Sequence, residues 1–322
     1  MGTETANRAE VAIDFVGAYE RMLIIRRFER AMHELFLAGE IHGTTHLCAG
    51  QEAVPVGVCL ALQPGDHVAG TYRGHGHALA KGTDPEALAA ELLGRATGVC
   101  GGRSGSMNVV DLACGLIGCF GIVGGSIAAA TGAGLSAQRD GRVAVAFFGD
   151  GAANQAYFHE CLNFAAVRLL PVIYVCENNL YGEFTPMERV TAGADIAGRA
   201  QAFDVPGVRV DGNDVWAVHE AAREAVERAR AGGGPALLEC RTYRHYGHSK
   251  GDPATYRPRE EVDEWLARDP LTMARDRLLA EGVAVERLDA VDAATAERVD
   301  AAVERARAAP FPDPVAATEF SP

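Results

Sequence analysis

The sequence predicts an α/β protein: a mostly parallel sheet with helices on both faces, plus an N-terminal helical arm and a C-terminal helical tail. Three observations predict it. The apolar runs Val143–Phe148 and Pro171–Cys176 are short and unbroken, as strands buried on both faces are. Between them, residues 152–169 set Phe158, Leu162, Ala165 and Leu169 on one helical face. Strand and helix signals continue to alternate along the chain, the pattern of parallel strands joined by helical crossovers.

The elements divide into an arm, 1–40, an α/β domain, 41–258, and a tail, 259–322. Residues 9–38 repeat apolar positions at three- and four-residue spacing, from Val16 to Phe36, and Gly39 ends that helix. Residues 50–62 predict a helix stopped by Pro64-Gly65, and Val68-Ala69 leads into a turn at Tyr72–His77. Asp84 is a good N-cap for a helix through Leu93, with Pro85 at its first position. Residues 98–118 are glycine-rich and aperiodic, hence loop, and Ile122–Ala137 reads as a small-residue helix. After the central unit, 180–195 is irregular. Gly207–Val210 and Pro235–Glu239 are short strands flanking an amphipathic helix at Val215–Ala231. A polar loop, 243–259, precedes the helical tail, 260–308, which Asp269-Pro270 interrupts.

Composition narrows the function. A chain of 322 residues, 48% hydrophobic, can bury a substantial core. A formal charge of −13 with no basic cluster argues against nucleic acid as a partner. No apolar run approaches the roughly 20 residues of a membrane span. The opening Met1-Gly2-Thr3-Glu4-Thr5 is polar and acidic, unlike a signal peptide, so a cytoplasmic location is expected. The eight cysteines form no C-x-x-C pair, and buried reduced thiols are expected.

The chemistry concentrates at Gly149-Asp150-Gly151, followed 26 residues later by Asn178-Asn179. A right-handed crossover brings both to one edge of the sheet, about 5 Å apart if the strands are neighbours. Asp150 offers an anionic oxygen and Asn179 a neutral carbonyl oxygen, a pair suited to Mg²⁺ carrying a diphosphate. The helix opening at Gly151-Ala152 would aim free N–H groups at the same phosphates. A helix N-cap also accounts for Asp150 alone. Tyr72 and Arg73 lie among glycines 70, 74 and 76, where a guanidinium matches phosphate oxygens; a surface salt bridge is the alternative.

The stretch from Gly149 to Gln155, with Glu177-Asn178-Asn179, resembles the thiamine diphosphate (ThDP) binding motif, and so implies a ThDP-binding fold. More narrowly, the chain is similar to α subunits of heterotetrameric E1 dehydrogenase components acting on pyruvate, acetoin or branched-chain 2-oxo acids. His46–Ala53, Tyr72–His77, Gly121–Gly124 and Thr242–His248 follow in family order. The resemblance implies thiamine diphosphate and Mg²⁺ as cofactors. It implies Tyr72 and Arg73 on the diphosphate, together with Gly149, Asp150, Gly151, Ala152, Asn179 and His248. It implies the main chain of Gly121 and Val123 at the aminopyrimidine, and the main-chain oxygen of Tyr181 as a third metal ligand beside Asp150 and Asn179. His46, His75 and His248 are expected around the reacting end, where imidazole suits proton steps and carboxylate binding. His77 and His245 are expected to be structural.

The family activates its cofactor with a glutamate from a second α/β domain, for which this chain has no room. The resemblance therefore implies an E1 β subunit in an α₂β₂ assembly, a lipoyl-bearing E2 as acyl acceptor, and a small keto substrate. Tyr181–Pro186 is similar to acetoin members, whereas Gly247-His248-Ser249 is similar to pyruvate members. A branched-chain 2-oxo acid E1 α subunit and a non-catalytic nucleotide-binding regulatory subunit are the alternatives. A Rossmann dehydrogenase is disfavoured, because no G-x-G-x-x-G opens a helix after a first strand. Ala156, Ser104 and Asn108 depart from the family pattern, which puts the loop near residue 104 in doubt.

Overall fold

The structure, a computed structural model, describes residues 14–193 and 195–314. Residues 9–13 of the expected first helix and 315–322 of the tail lie outside the described residues. The chain runs α1 (Phe15–Leu37), α2 (Ala53–Leu60), β1 (His67–Thr71), α3 (His75–Lys81), α4 (Pro85–Leu92), β2 (Leu116–Phe120), α5 (Gly125–Ala137) and β3 (Ala144–Gly149). It continues through α6 (Ala156–Arg168), β4 (Val172–Asn178), β5 (Tyr181–Gly182), β6 (Thr185–Pro186), β7 (Gly207–Asp211), α7 (Val215–Arg230) and β8 (Ala236–Arg241). The helices α8 (Arg259–Leu266), α9 (Pro270–Ala280) and α10 (Val285–Ala308) close it.

The main sheet has six strands in the order β2-β1-β3-β4-β8-β7, every neighbouring pair parallel. Alternate residues feed two cores. Val145, Phe147, Ile173, Val175 and Leu238 face one side, packed with α1, α2, α4, α7 and α10. Ala146, Phe148, Tyr174, Cys176 and Leu237 face the other, with α5 and α6. Helices thus cover both faces, as expected. The arm and the tail share the first core, for Met22, Phe28 and Met32 of α1 pack with Leu278, Leu288 and Val299. The eight cysteines are all free. Among the described residues, no helix is long and apolar enough to cross a membrane.

Several expected boundaries moved. The supposed loop 98–118 runs into the edge strand β2, whose Leu116 and Cys119 are buried but separated by Gly118, so no apolar run announced it. The Tyr72–His77 turn gives way to α3 at His75. The helix expected from Ile122 starts at Gly125, after Gly124 at φ 80, and Ile122 is 71% exposed. The helix expected over 152–169 is a 3₁₀ turn at Asp150–Asn154 followed by α6. Phe158, Leu162 and Ala165 are buried on it, but Leu169 caps the helix at φ 50 and is exposed. Gly282 ends α9, adding a break to the tail beyond Asp269-Pro270.

Candidate active site

Five adjacent strands end at one edge, and each hands its next residues to a single cleft of about 380 Å³. Such a crevice outside the carboxyl ends of parallel strands is where α/β folds bind ligands. β1 delivers Tyr72 and Arg73, β2 delivers Gly121 to Val123, and β3 delivers Asp150. β4 delivers Asn179, and the segment after β8 delivers Arg244 and His248.

The floor is built on the pairing of β3 with β4. Gly149 stands beside Glu177, so Asp150 and Asn178 leave neighbouring strand ends, as the crossover argument requires. Asn178 turns into the protein and donates to Glu239 Oε1 at 2.6 Å. Asn179 donates through Nδ2 to Gln51 Oε1 at 2.9 Å, which leaves its carbonyl oxygen, Oδ1, buried without a partner. Asp150 is also buried, and its Oδ2 has no partner. Gly149, not Asp150, stands at the cap position of the 3₁₀ turn. Burial pushes the Asp150 carboxyl up to about 6, partly offset by main-chain N–H groups of Asp150 and Asn179 and by Arg244. Two unpartnered oxygens, one from a carboxylate and one from an amide, fit a hard cation. Among the described residues no three His, Cys, Asp or Glu side chains cluster as a metal site. A site drawing on one carboxylate, an amide oxygen and a main-chain oxygen is of a different kind. Gly151 crosses Gly182, and a Cβ on Gly151 would lie 3.3 Å from the Gly182 Cα, so both glycines keep this corner open.

The rim is built from loops. Arg73 Nη1 donates to Leu47 O at 2.5 Å and Nη2 to His248 O at 3.0 Å. A guanidinium has five N–H donors, so three remain for a ligand. The rings of His46, Tyr72 and His248 pack together, at 4.6 Å between His46 and Tyr72 and 5.0 Å between His46 and His248. Burial, then Arg73, lowers His46 to about 3 and His248 to about 4. Both imidazoles are therefore neutral in the open cleft. Arg244 Nη1 lies 2.9 Å from His248 Nδ1. A guanidinium cannot accept, so Nδ1 is the acceptor and Nε2 carries the hydrogen into the cleft.

His75 corrects an expectation. It is fully buried behind the cleft wall, with Nδ1 3.0 Å from Glu29 Oε2 and Nε2 2.8 Å from Ser106 Oγ. With both nitrogens engaged, it positions the loop around Ser106 and does not reach a reacting atom. The helix α3 turns it inward, which a glycine-flanked histidine in sequence does not disclose. His77 meets Glu177 at 3.1 Å and His245 meets Asp269 at 3.5 Å, as structural histidines would. Tyr181 lines the cleft but sends its hydroxyl away to Glu261 Oε1.

Arg244, Glu177 and Glu183 also line the cleft and had no assigned role. Arg244 is 1% exposed, and burial lowers it to about 10. Its position four residues before His248, inside a stretch already singled out, was the available signal.

Residues 20–315 match the family described as Dehydrogenase E1 component. The chain is 49% identical over 297 residues to the α subunit of acetoin:2,6-dichlorophenolindophenol oxidoreductase from Bacillus subtilis, covering 91% of this chain and 89% of the relative. It is 46% identical to the protein of that name from Cupriavidus necator, covering 92% and 90%. It is 43% identical to the pyruvate dehydrogenase E1 component subunit α of Rhizobium meliloti, covering 93% and 87%. The family match over most of the chain and relatives at 43–49% identity show that this chain belongs to the dehydrogenase E1 component family, among its α subunits.

Proposed function

We propose that this α subunit binds thiamine diphosphate and Mg²⁺ in the cleft and, with a β subunit in an α₂β₂ assembly, cleaves a small keto substrate and passes the acyl fragment to a lipoyl group on E2. The observation that carries the reading is the pair of buried, unpartnered oxygens, Asp150 Oδ2 and Asn179 Oδ1, on neighbouring strand ends. They and the main-chain oxygen of Tyr181 would hold the cation. Arg73 and Tyr72 would hold the diphosphate with the main chain of Gly151 and Ala152. When bound, thiamine diphosphate supplies the carbon nucleophile and accepts the electron pair released by C–C cleavage. The chain's own residues bind, orient and exclude water. His248 Nε2–H would be a donor to substrate or phosphate oxygen, and His46, held neutral, would orient the substrate by hydrogen bonding.

A partner subunit is supported by the cleft's lip. Ile122 and Val123 line the cleft and are 71% and 41% exposed, and exposed apolar side chains at a binding cleft suit a partner's surface. Among substrates, acetoin is favoured. Glu183, an exposed acidic residue of the cleft lining, adds negative charge there, which suits neutral acetoin better than an anionic substrate. Pyruvate is the second reading, because Arg244 and His248 offer donors to a carboxylate. The reconstituted α/β pair should reduce a dye with acetoin or pyruvate faster than with 2-oxoisovalerate, and should be stabilised by ThDP·Mg²⁺ but not by NAD. Stabilisation by NAD alone would overturn the cofactor, and faster 2-oxoisovalerate turnover would overturn the substrate class.

A further inference from the structure

Glu177 lines the same cleft as Asp150 and Asn179, in register with Gly149 on the neighbouring strand and two residues before Asn179. It is 3% exposed, and its Oε1 has no hydrogen-bond partner. Its other oxygen, Oε2, is held 3.1 Å from His77 Nε2. His77 is itself fully buried and stacked on Phe147, with ring centroids 4.2 Å apart, so the carboxylate is anchored from behind. A buried carboxylate oxygen with nothing to accept is costly, and one facing an anionic ligand is repelled as well. The arrangement is stable only when a cation or a donated hydrogen stands between them. An octahedral Mg²⁺ held by Asp150, Asn179, the Tyr181 main-chain oxygen and the diphosphate would still have a position for water.

Resting on the cation reading above, we infer that Glu177, anchored by His77, is the outer-shell carboxylate of the site and accepts a hydrogen bond from water on the cation. Asp150 and Asn179 then ligate directly, and Glu177 orients the water and adds negative charge without a bond to the metal. Outer-shell partners are worth roughly 10–100-fold in metal affinity.

The test is Mn²⁺ binding in the presence of ThDP, read by electron paramagnetic resonance on the chain purified with its partner subunit. Glu177→Gln preserves shape and the contact with His77, and should weaken Mn²⁺ by about ten-fold. The melting temperature of the metal-free protein should be unchanged. His77→Phe keeps the stack on Phe147, removes the anchor, and should weaken Mn²⁺ by a smaller factor in the same direction. Asp150→Ala should abolish Mn²⁺ retention. Unchanged affinity in Glu177→Gln, beside loss in Asp150→Ala, overturns this inference alone. A loss in Glu177→Gln as complete as in Asp150→Ala also overturns it, by making Glu177 a direct ligand. Unchanged affinity in Asp150→Ala overturns the cation reading itself. If Glu177→Gln does not fold, His77→Phe carries the test, and wild-type affinity there refutes the anchored carboxylate.

Discussion

The floor and the rim of the cleft are built on different principles. Floor residues leave paired strands, so their spacing is set by the sheet: Gly149 beside Glu177 fixes where Asp150 and Asn179 stand. Rim residues hang on loops held by side-chain hydrogen bonds, many of them within the 243–258 segment itself. Asp252 accepts from the His248 N–H at 2.6 Å, the Tyr256 hydroxyl at 2.7 Å and the Ala254 N–H at 2.8 Å. Arg257 Nη1 donates to Arg244 O at 2.6 Å and Nη2 to Tyr246 O at 3.1 Å. Backbone strain follows the same division. Leu180, Glu183 and Ala254 take positive φ on the rim side, whereas Asp150 to Asn154 form a regular 3₁₀ turn on the floor. A rigid edge suits a cation with fixed coordination, and a stapled loop suits a substrate that must enter and leave.

The largest effect should come from breaking the floor. Asp150→Ala removes the carboxylate of the cation site and should lower Mg²⁺-dependent ThDP affinity by about 100-fold or more, with the fold intact. The check is thermal: the ThDP-induced rise in melting temperature should vanish while the cofactor-free value holds. A full ThDP-induced rise in this variant would refute the metal assignment.

A rim break should cost less, because its contacts are shared. Arg244→Met removes the donors to His248 Nδ1 and Glu183 O while keeping the bulk of the stem. Charged hydrogen bonds are worth roughly 1.5–3 kcal/mol, so kcat/KM should fall by about 10–100-fold. ThDP affinity should fall less than in Asp150→Ala. If it falls as far, floor and rim do not differ in the way the geometry indicates.

Protonation offers a gentler probe of the rim. His46 and His248 sit at about 3 and about 4 in the folded cleft, below the ordinary value of 6.5. A depressed value gives stability that is complete above pH 6.5 and lost as pH falls towards the folded values, since the unfolded chain takes up protons first. Melting temperature without cofactor should therefore fall between pH 6.5 and 4. It should fall less steeply in a His46→Gln, His248→Gln double variant, and identical pH profiles would contradict burial of neutral imidazoles.

The floor was legible in the sequence for the reason that makes it rigid. Two apolar runs and a helix fix a crossover, so spacing alone puts Asp150 and Asn179 at one sheet edge. Sheet order was not legible at its edge, because β2 is a short strand interrupted by Gly118 at the end of a glycine-rich stretch. Rim chemistry was half legible. His46, Tyr72 and His248 do converge, but His75 faces inward onto Glu29, a partner 46 residues away that no local pattern announces. Arg244 was overlooked because its role depends on His248 and Glu183 arriving beside it. Residues placed by backbone pairing can be read from spacing, and residues placed by tertiary hydrogen bonds cannot.

The smallest effect tests where strain is stored. Ala254 sits at φ 56, a conformation that costs an alanine about 1–2 kcal/mol. Ala254→Gly removes that cost but adds roughly 0.4–1 kcal/mol of unfolded-state entropy, leaving a net gain between about 0 and 1.6 kcal/mol. In a chain of this size the melting temperature should rise by about 2 °C. The matching change on the floor, Ala153→Gly, has no strain to relieve and loses a fully buried methyl group. It should lower the melting temperature instead, by loss of both packing and backbone restriction. Opposite signs for the same substitution, measured side by side without cofactor, are the outcome expected of a relaxed floor and a strained rim. A fall in both would mean that the contacts of the 243–258 loop, and not relief of its backbone, govern its stability.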